Sequence, residues 1–324
     1  MIIQTGLSRV IISPALFTPN YCFFLFGCSA AAQVKTSRET KGQFLSVNMA
    51  FSVGVMSAMY LTKNISGAHF NPAVTLSFCV LGQVPWGKLV PYCLSQVLGA
   101  YLASGLVYMV YYDAIMEFSG GVLTVYGPNE TASIFATYPS EYMTLGRSFL
   151  DQVVGTGMLM LCILCLEEKR NTPAPSELIP AIVAVIVLGI SMSMSANCGA
   201  AINPARDLGP RLLTLTAGWG TEVFTCYNYW FWVPLVAPLI GGVIGTFIYL
   251  FFIHWHLPDP DPPETLYVLY IFVVISSSFC VFAEEERRVR ANDREYNEKF
   301  QYAVRQFSPV HVPKYGHIIL ERVF

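Results

Sequence analysis

SGAHFNPAVTL, residues 66–76, sets His69, Asn71 and Pro72 into an otherwise small and apolar run. It directly follows residues 44–62, a stretch long enough to cross a bilayer. The device returns 132 positions later as CGAAINPARDLGP, residues 198–210, and aligning Gly67–Ala73 with Gly199–Ala205 gives five identities in seven. Asn is a preferred helix N-cap and Pro is tolerated at the first helical position. Asn71, Pro72 and Ala73, and again Asn203, Pro204 and Ala205, therefore each read as the start of a helix. Gly82, after AVTLSFCVL, reads as the stop of the first one. A helix of about ten residues is roughly 15 Å long, half of the hydrocarbon core, so it dips from one side to the middle. Either pair alone is most simply an ordinary cap on a loop helix. Two copies in matching positions point instead to paired half-helices that begin near the midplane.

The composition agrees, with 54% hydrophobic, 14% aromatic and only 12% charged residues among 324, well to the apolar side of soluble domains. Apolar spans fall at 44–62, 89–112, 147–166, 179–197 and 231–256, with a poorer sixth at 13–34. The fold class expected is an all-α membrane protein of six transmembrane helices plus two re-entrant half-helices. Each Asn-Pro pair follows the second span of a three-span half, half one at about 13–112 and half two at about 147–256. Three spans per half send the second half in from the opposite side, so the repeats are inverted and the half-helices approach from opposite faces. Backbone leading into a half-helix leaves carbonyls unpaired, which is tolerated at membrane depth only where it is buried or lines water. A polar pathway follows. Gly99 with Ala103, and Gly241 with Gly245, stand at the four-residue spacing that lets helices approach closely. Gly209-Pro210 predicts an irregular second half-helix, because Pro breaks the hydrogen-bond ladder.

Residues 1–256 form the expected channel domain. Residues 257–324 hold the linker LPDPDPPE, an apolar run at 265–283 and a charged tail. A crossing by 265–283 would move the C-terminus to the other side. The net charge of -2, with no basic stripe, excludes a nucleic-acid partner. Cys79, Cys162, Cys165 and Cys280 sit singly inside apolar runs, where thiols pack as small hydrophobes. No nucleophile-base-acid trio, phosphate loop or metal cluster stands out, so neither an enzyme nor a cofactor is expected.

The paired motifs resemble those of the aquaporin family, and NPARDLGPR at 203–211, with Asp207 after Arg206, looks like its aquaglyceroporin branch. GPNETASIFATYP at 127–139 is similar to the third connecting loop of the aquaporin-10 subtype. The likeness covers about residues 30–256. It implies an hourglass, usually a homotetramer with one pore per subunit, that passes small uncharged molecules and stops ions. Asn71 and Asn203 would turn N–H donors into the lumen at the midplane, where two helix N-termini oppose cations. The implied selectivity filter is Phe51, Ser191, Ala200 and Arg206. A small residue at Ser191, where the water-only branch typically carries His, leaves room for a three-carbon polyol. Glycerol, water and urea are the expected permeants, in a plasma membrane with cytoplasmic termini. The first span departs from the family: its usual Glu is replaced by Leu16, and Pro14 and Pro19 disturb it. Asp151 retains a carboxylate in the comparable place of the second half.

His69, two residues before the first Asn, is a candidate pH sensor near the cytoplasmic mouth, against the simpler reading of a neutral ring satisfied by loop groups. Asn129-Glu130-Thr131 is a glycosylation sequon in a loop expected outside. Asn64-Ile65-Ser66 is a sequon by letter only, because it lies where the chain re-enters from the cytoplasm. Lys and Arg counts divide evenly between the two sides, so orientation rests on the resemblance. Two rival readings are a water-selective channel and a structural or adhesion protein with a pore closed by the altered first span.

Overall fold

The computed structural model describes residues 14–258 and residue 302, with side chains from residue 21 onward. The chain divides after Pro258 into two compact units, and all elements below belong to the first. It is helical throughout: α1 (Pro14–Thr36), α2 (Phe44–Ser66), α3 (Pro72–Val80), α4 (Leu89–Val110), α5 (Tyr112–Ser119), α6 (Leu145–Glu167), α7 (Ile179–Cys198), α8 (Pro204–Thr214), α9 (Glu222–Tyr229) and α10 (Val233–Phe252). Five of the described helices are long and apolar enough to cross a membrane, namely α2, α4, α6, α7 and the stretch Glu222–His256 that contains α10. The 23 residues of α1 match their length.

Exchanging the halves maps the packing onto itself. α1 lies against α2 and α4, as α6 lies against α7 and α10, and α2 meets α7 where the halves join. Each half-helix rests on the last span of the other half, α3 on α10 and α8 on α4. Small residues set these distances. A Cβ on Gly241 would lie 2.4 Å from the Val153 carbonyl, and one on Gly245 would lie 2.3 Å from that of Gly157, so α10 and α6 touch backbone to backbone. Gly209 similarly meets α4, 2.7 Å from the Val97 carbonyl. Gly99 and Ala103 are buried on α4. The outward faces carry Leu94, Leu98 and Leu102 on α4 and Ile240, Ile244 and Phe247 on α10, all exposed apolar side chains that suit lipid or a neighbouring subunit.

Three expectations change. Pro210 does not break α8, which runs on to Thr214 and then loosens into a π-helical turn at Leu215–Trp219. Pro210 lies inside this helix and removes one donor from its ladder, which the neighbouring residues carry on. α1 is helical from Pro14 through Pro19, Pro14 standing at the start where Pro needs no donor, while the side chains of residues 14–20, Leu16 among them, lie outside the described residues. The long connection after α4 is not plain loop, because it contains α5 and a 3-10 turn at Ala132–Ile134. The run 265–283 lies outside the described residues.

Candidate permeation site

Both half-helices are prepared by the same backbone path. α2 and α7 end in left-handed glycines, Gly67 (φ 80) and Gly199 (φ 72). The next residues repeat the turn, Ala68 (φ 52) and Phe70 (φ 30) in the first loop, Ala200 (φ 44) and Ile202 (φ 41) in the second. Left-handed non-glycine residues are strained and persist where surroundings over-determine them. Here the alternation turns successive carbonyls in the descending loops away from helical pairing. Asn71 (φ −147, ψ 120) and Asn203 (φ −149, ψ 109) then return to extended backbone and cap α3 and α8.

The two caps interlock. Asn71 Oδ1 accepts from Ala73 N at 2.9 Å, and Asn203 Oδ1 accepts from Ala205 N at 2.9 Å and Arg206 N at 3.2 Å. Asn71 Nδ2 donates to the Ile202 carbonyl and Asn203 Nδ2 to the Phe70 carbonyl, both at 2.9 Å. One N–H of each amide thus ties the opposite loop. Pro72, Ala73, Pro204 and Ala205 are buried behind them.

A cavity of about 700 Å³ passes this centre, reaching from Lys35 and Arg38 at one end to Lys63 and Glu167 at the other. Its walls are two stripes at four-residue steps, Val47, Phe51, Val55, Met59 and Lys63 on α2 and Ile179, Val183, Val187, Ser191 and Ser195 on α7. Sixteen residues of helix cover about 24 Å. Phe51, Ser191, Ala200 and Arg206 all line it, as do Asn71 and Asn203. Arg206 Cζ stands 4.6 Å from the Phe51 ring centroid, and Arg206 Nη1 donates to the Phe135 carbonyl at 2.7 Å. Gly27 of α1 makes room for that ring, since a Cβ there would fall 2.1 Å from it.

Behind Arg206 lies a buried ion pair that the sequence reading passed over. Asp207 is fully buried and Arg211 is 1% exposed. Arg211 Nε donates to Asp207 Oδ1 at 2.6 Å and Nη2 to Oδ2 at 2.9 Å. Thr137 N and Oγ1 donate to Asp207 Oδ2, while the Thr137 carbonyl accepts from Arg211 Nη2. Asp207 and Arg211 thereby clamp the loop whose Phe135 carbonyl holds Arg206. The four-residue spacing was the available signal.

Asp151 acts at one remove. Its carboxylate accepts from Asn197 Nδ2 at 2.7 Å and Gln152 Nε2 at 3.0 Å, and Gln152 Oε1 accepts from Ile202 N at 2.9 Å. It therefore braces the residue whose carbonyl receives Asn71.

His69 is buried, stacked 4.9 Å from Phe78, and lines the cavity. Thr75 Oγ1 donates to the Asn71 carbonyl and accepts from Gln96 Nε2 at 3.1 Å. The same oxygen lies 3.3 Å from His69 Nδ1. In the connection after α4, Asn129 is exposed, while Thr131 is buried with its Oγ1 accepting from Trp219 Nε1 at 3.1 Å.

Comparison with known proteins points the same way. Human Aquaporin-10 is 49% identical over 253 residues, 78% of this chain and 84% of that protein. Mouse Aquaporin-7 is 43% identical over 265 residues, 81% and 87% of the two chains. The X-ray structure of the aquaglyceroporin from Plasmodium falciparum superposes with a TM-score of 0.67 at 27% identity, over 75% of this chain and 96% of that one. Residues 2–249 match the model of the major intrinsic protein family. Fold, interlocked caps and sequence thus converge: the chain belongs to the major intrinsic protein family and is a multi-pass membrane channel for the passive passage of water and small solutes.

Proposed function

We propose that the pore conducts glycerol, with water and urea, across the plasma membrane while excluding ions and protons. The observation that carries this reading is the filter wall. Arg206 supplies hydrogen-bond donors, Phe51 lies against it with an apolar face, and Ser191 and Ala200 are small side chains lining the same cavity. A polyol has hydroxyls on one edge and carbons on the other, and that division of the wall suits it. Ions meet two opposed helix N-termini and a narrow lumen in which lost hydration is not replaced. α1 serves as the sixth span, the assembly is a homotetramer, both termini are cytoplasmic, and Asn129 is the glycosylation site on the outer loop.

Stopped-flow light scattering on proteoliposomes tests the reading. Wild-type protein is expected to speed both water and glycerol equilibration. Ser191→His, which places a ring in the polyol's space, is expected to suppress glycerol flux more than water flux. A water-only response from the wild type would favour a water-selective channel, and no response to either solute would favour a closed adhesion protein.

A further inference from the structure

Asn48 is a polar side chain in the cavity wall for which the filter and the central caps have no use. It stands on α2 three residues before Phe51, about 4.5 Å along the axis towards the outer end. It lines the cavity with Ala31, Val34 and Lys35 of α1 and with Tyr138 of the connecting loop. Asn48 is 6% exposed, and its Nδ2 is sealed from water without a hydrogen-bond partner. Its backbone carbonyl accepts from Ser52 Oγ at 2.9 Å, but among the described residues no hydrogen bond reaches either atom of the side-chain amide. By contrast, the buried amide of Gln152 is engaged at both its nitrogen and its oxygen. A buried amide without partners is costly, and a leucine would fill the same volume at no such cost.

We propose that Asn48 is the outermost hydrogen-bonding station of the pore, receiving one hydroxyl of a small polyol a helical turn before the Phe51 and Arg206 filter. The inference deepens the polyol reading above and rests on it. A polyol must give up water before it passes Phe51, and rotation of the Asn48 amide about its terminal side-chain bond turns either its donor or its acceptor to the cavity, so it serves a hydroxyl in either sense. With a single turn of helix between them, Asn48 can hold one end of a three-carbon chain as the other end reaches Arg206. Water, with one oxygen, cannot bridge the two.

The test compares fluxes of glycerol, 1,2-propanediol and 1,3-propanediol through wild-type and Asn48→Leu protein in the same vesicles. Removing the amide is expected to lower glycerol flux about fivefold, the size of one neutral hydrogen bond. At least one diol, lacking the hydroxyl that Asn48 receives, is expected to lose markedly less. An equal loss for all three solutes, or no loss for any, would overturn the proposal. Asn48→Ala gives the same comparison should the Leu variant fail to yield a sharp sizing peak in detergent. Wild-type vesicles that pass no glycerol would sink the polyol reading itself, whereas glycerol-permeable wild type with a uniform loss in the variant sinks this inference alone.

Discussion

Arg206 keeps its place through groups that never meet the solute. Its Phe135 partner belongs to a loop held by Asp207 and Arg211. Replacing Asp207 by Asn leaves the Arg211 charge buried and uncompensated, which costs about 3 kcal/mol. Asp207→Asn is therefore expected to melt several degrees below wild type in detergent and to lose glycerol flux, and an unchanged melting curve would contradict the clamp. The caps themselves were legible in sequence, because Asn followed by Pro is local chemistry. The bonds from Asn71 to Ile202 and from Asn203 to Phe70 were not, because they depend on left-handed turns in loops more than 130 positions apart. Arg211 lay between these cases: its spacing from Asp207 was visible, but their complete burial is a product of tertiary packing.

Among elements, the closest contact is α10 on α6, and the four-residue spacing of Gly241 and Gly245 announced it. Gly245→Val forces the backbones apart, and overpacking of this kind costs about 1–3 kcal/mol. Less monodisperse protein in detergent and a lower melting temperature are expected. At the C-terminal ends of the same two helices, Glu168 accepts from Arg170, Tyr249 and His254. The Arg170 hydrogen bonds hold the Glu168 carboxyl well below the usual carboxylate range. A carboxyl depressed in the fold lends stability that is complete above its unfolded value of about 4.3 and is lost as pH falls towards the folded value. Glu168→Gln is accordingly expected to melt below wild type at pH 7, with the gap narrowing in strong acid; a gap independent of pH would exclude an ionic role. Continuous apolar runs located the long helices well, whereas α5 and α9 escaped notice because short helices in polar connections contain no run long enough to register.

At the scale of the whole membrane unit, the long cavity and an apolar exterior lie on either side of the same helices. Two helix N-termini meeting at its centre oppose cations, so vesicles that gain glycerol permeability are expected to show no added conductance in planar-bilayer recordings; an ionic current tracking glycerol flux would refute this. The interlocked caps also bear on how the protein is made. Asn71 gives an amide hydrogen to Ile202, and Asn203 gives one to Phe70, so neither descending loop can settle alone. During synthesis the first three spans must wait in the bilayer with a donor and a carbonyl unanswered until their upside-down counterparts arrive beside them. A chain that stops before Asn203 leaves the Phe70 carbonyl without the donor that answers it in the finished fold.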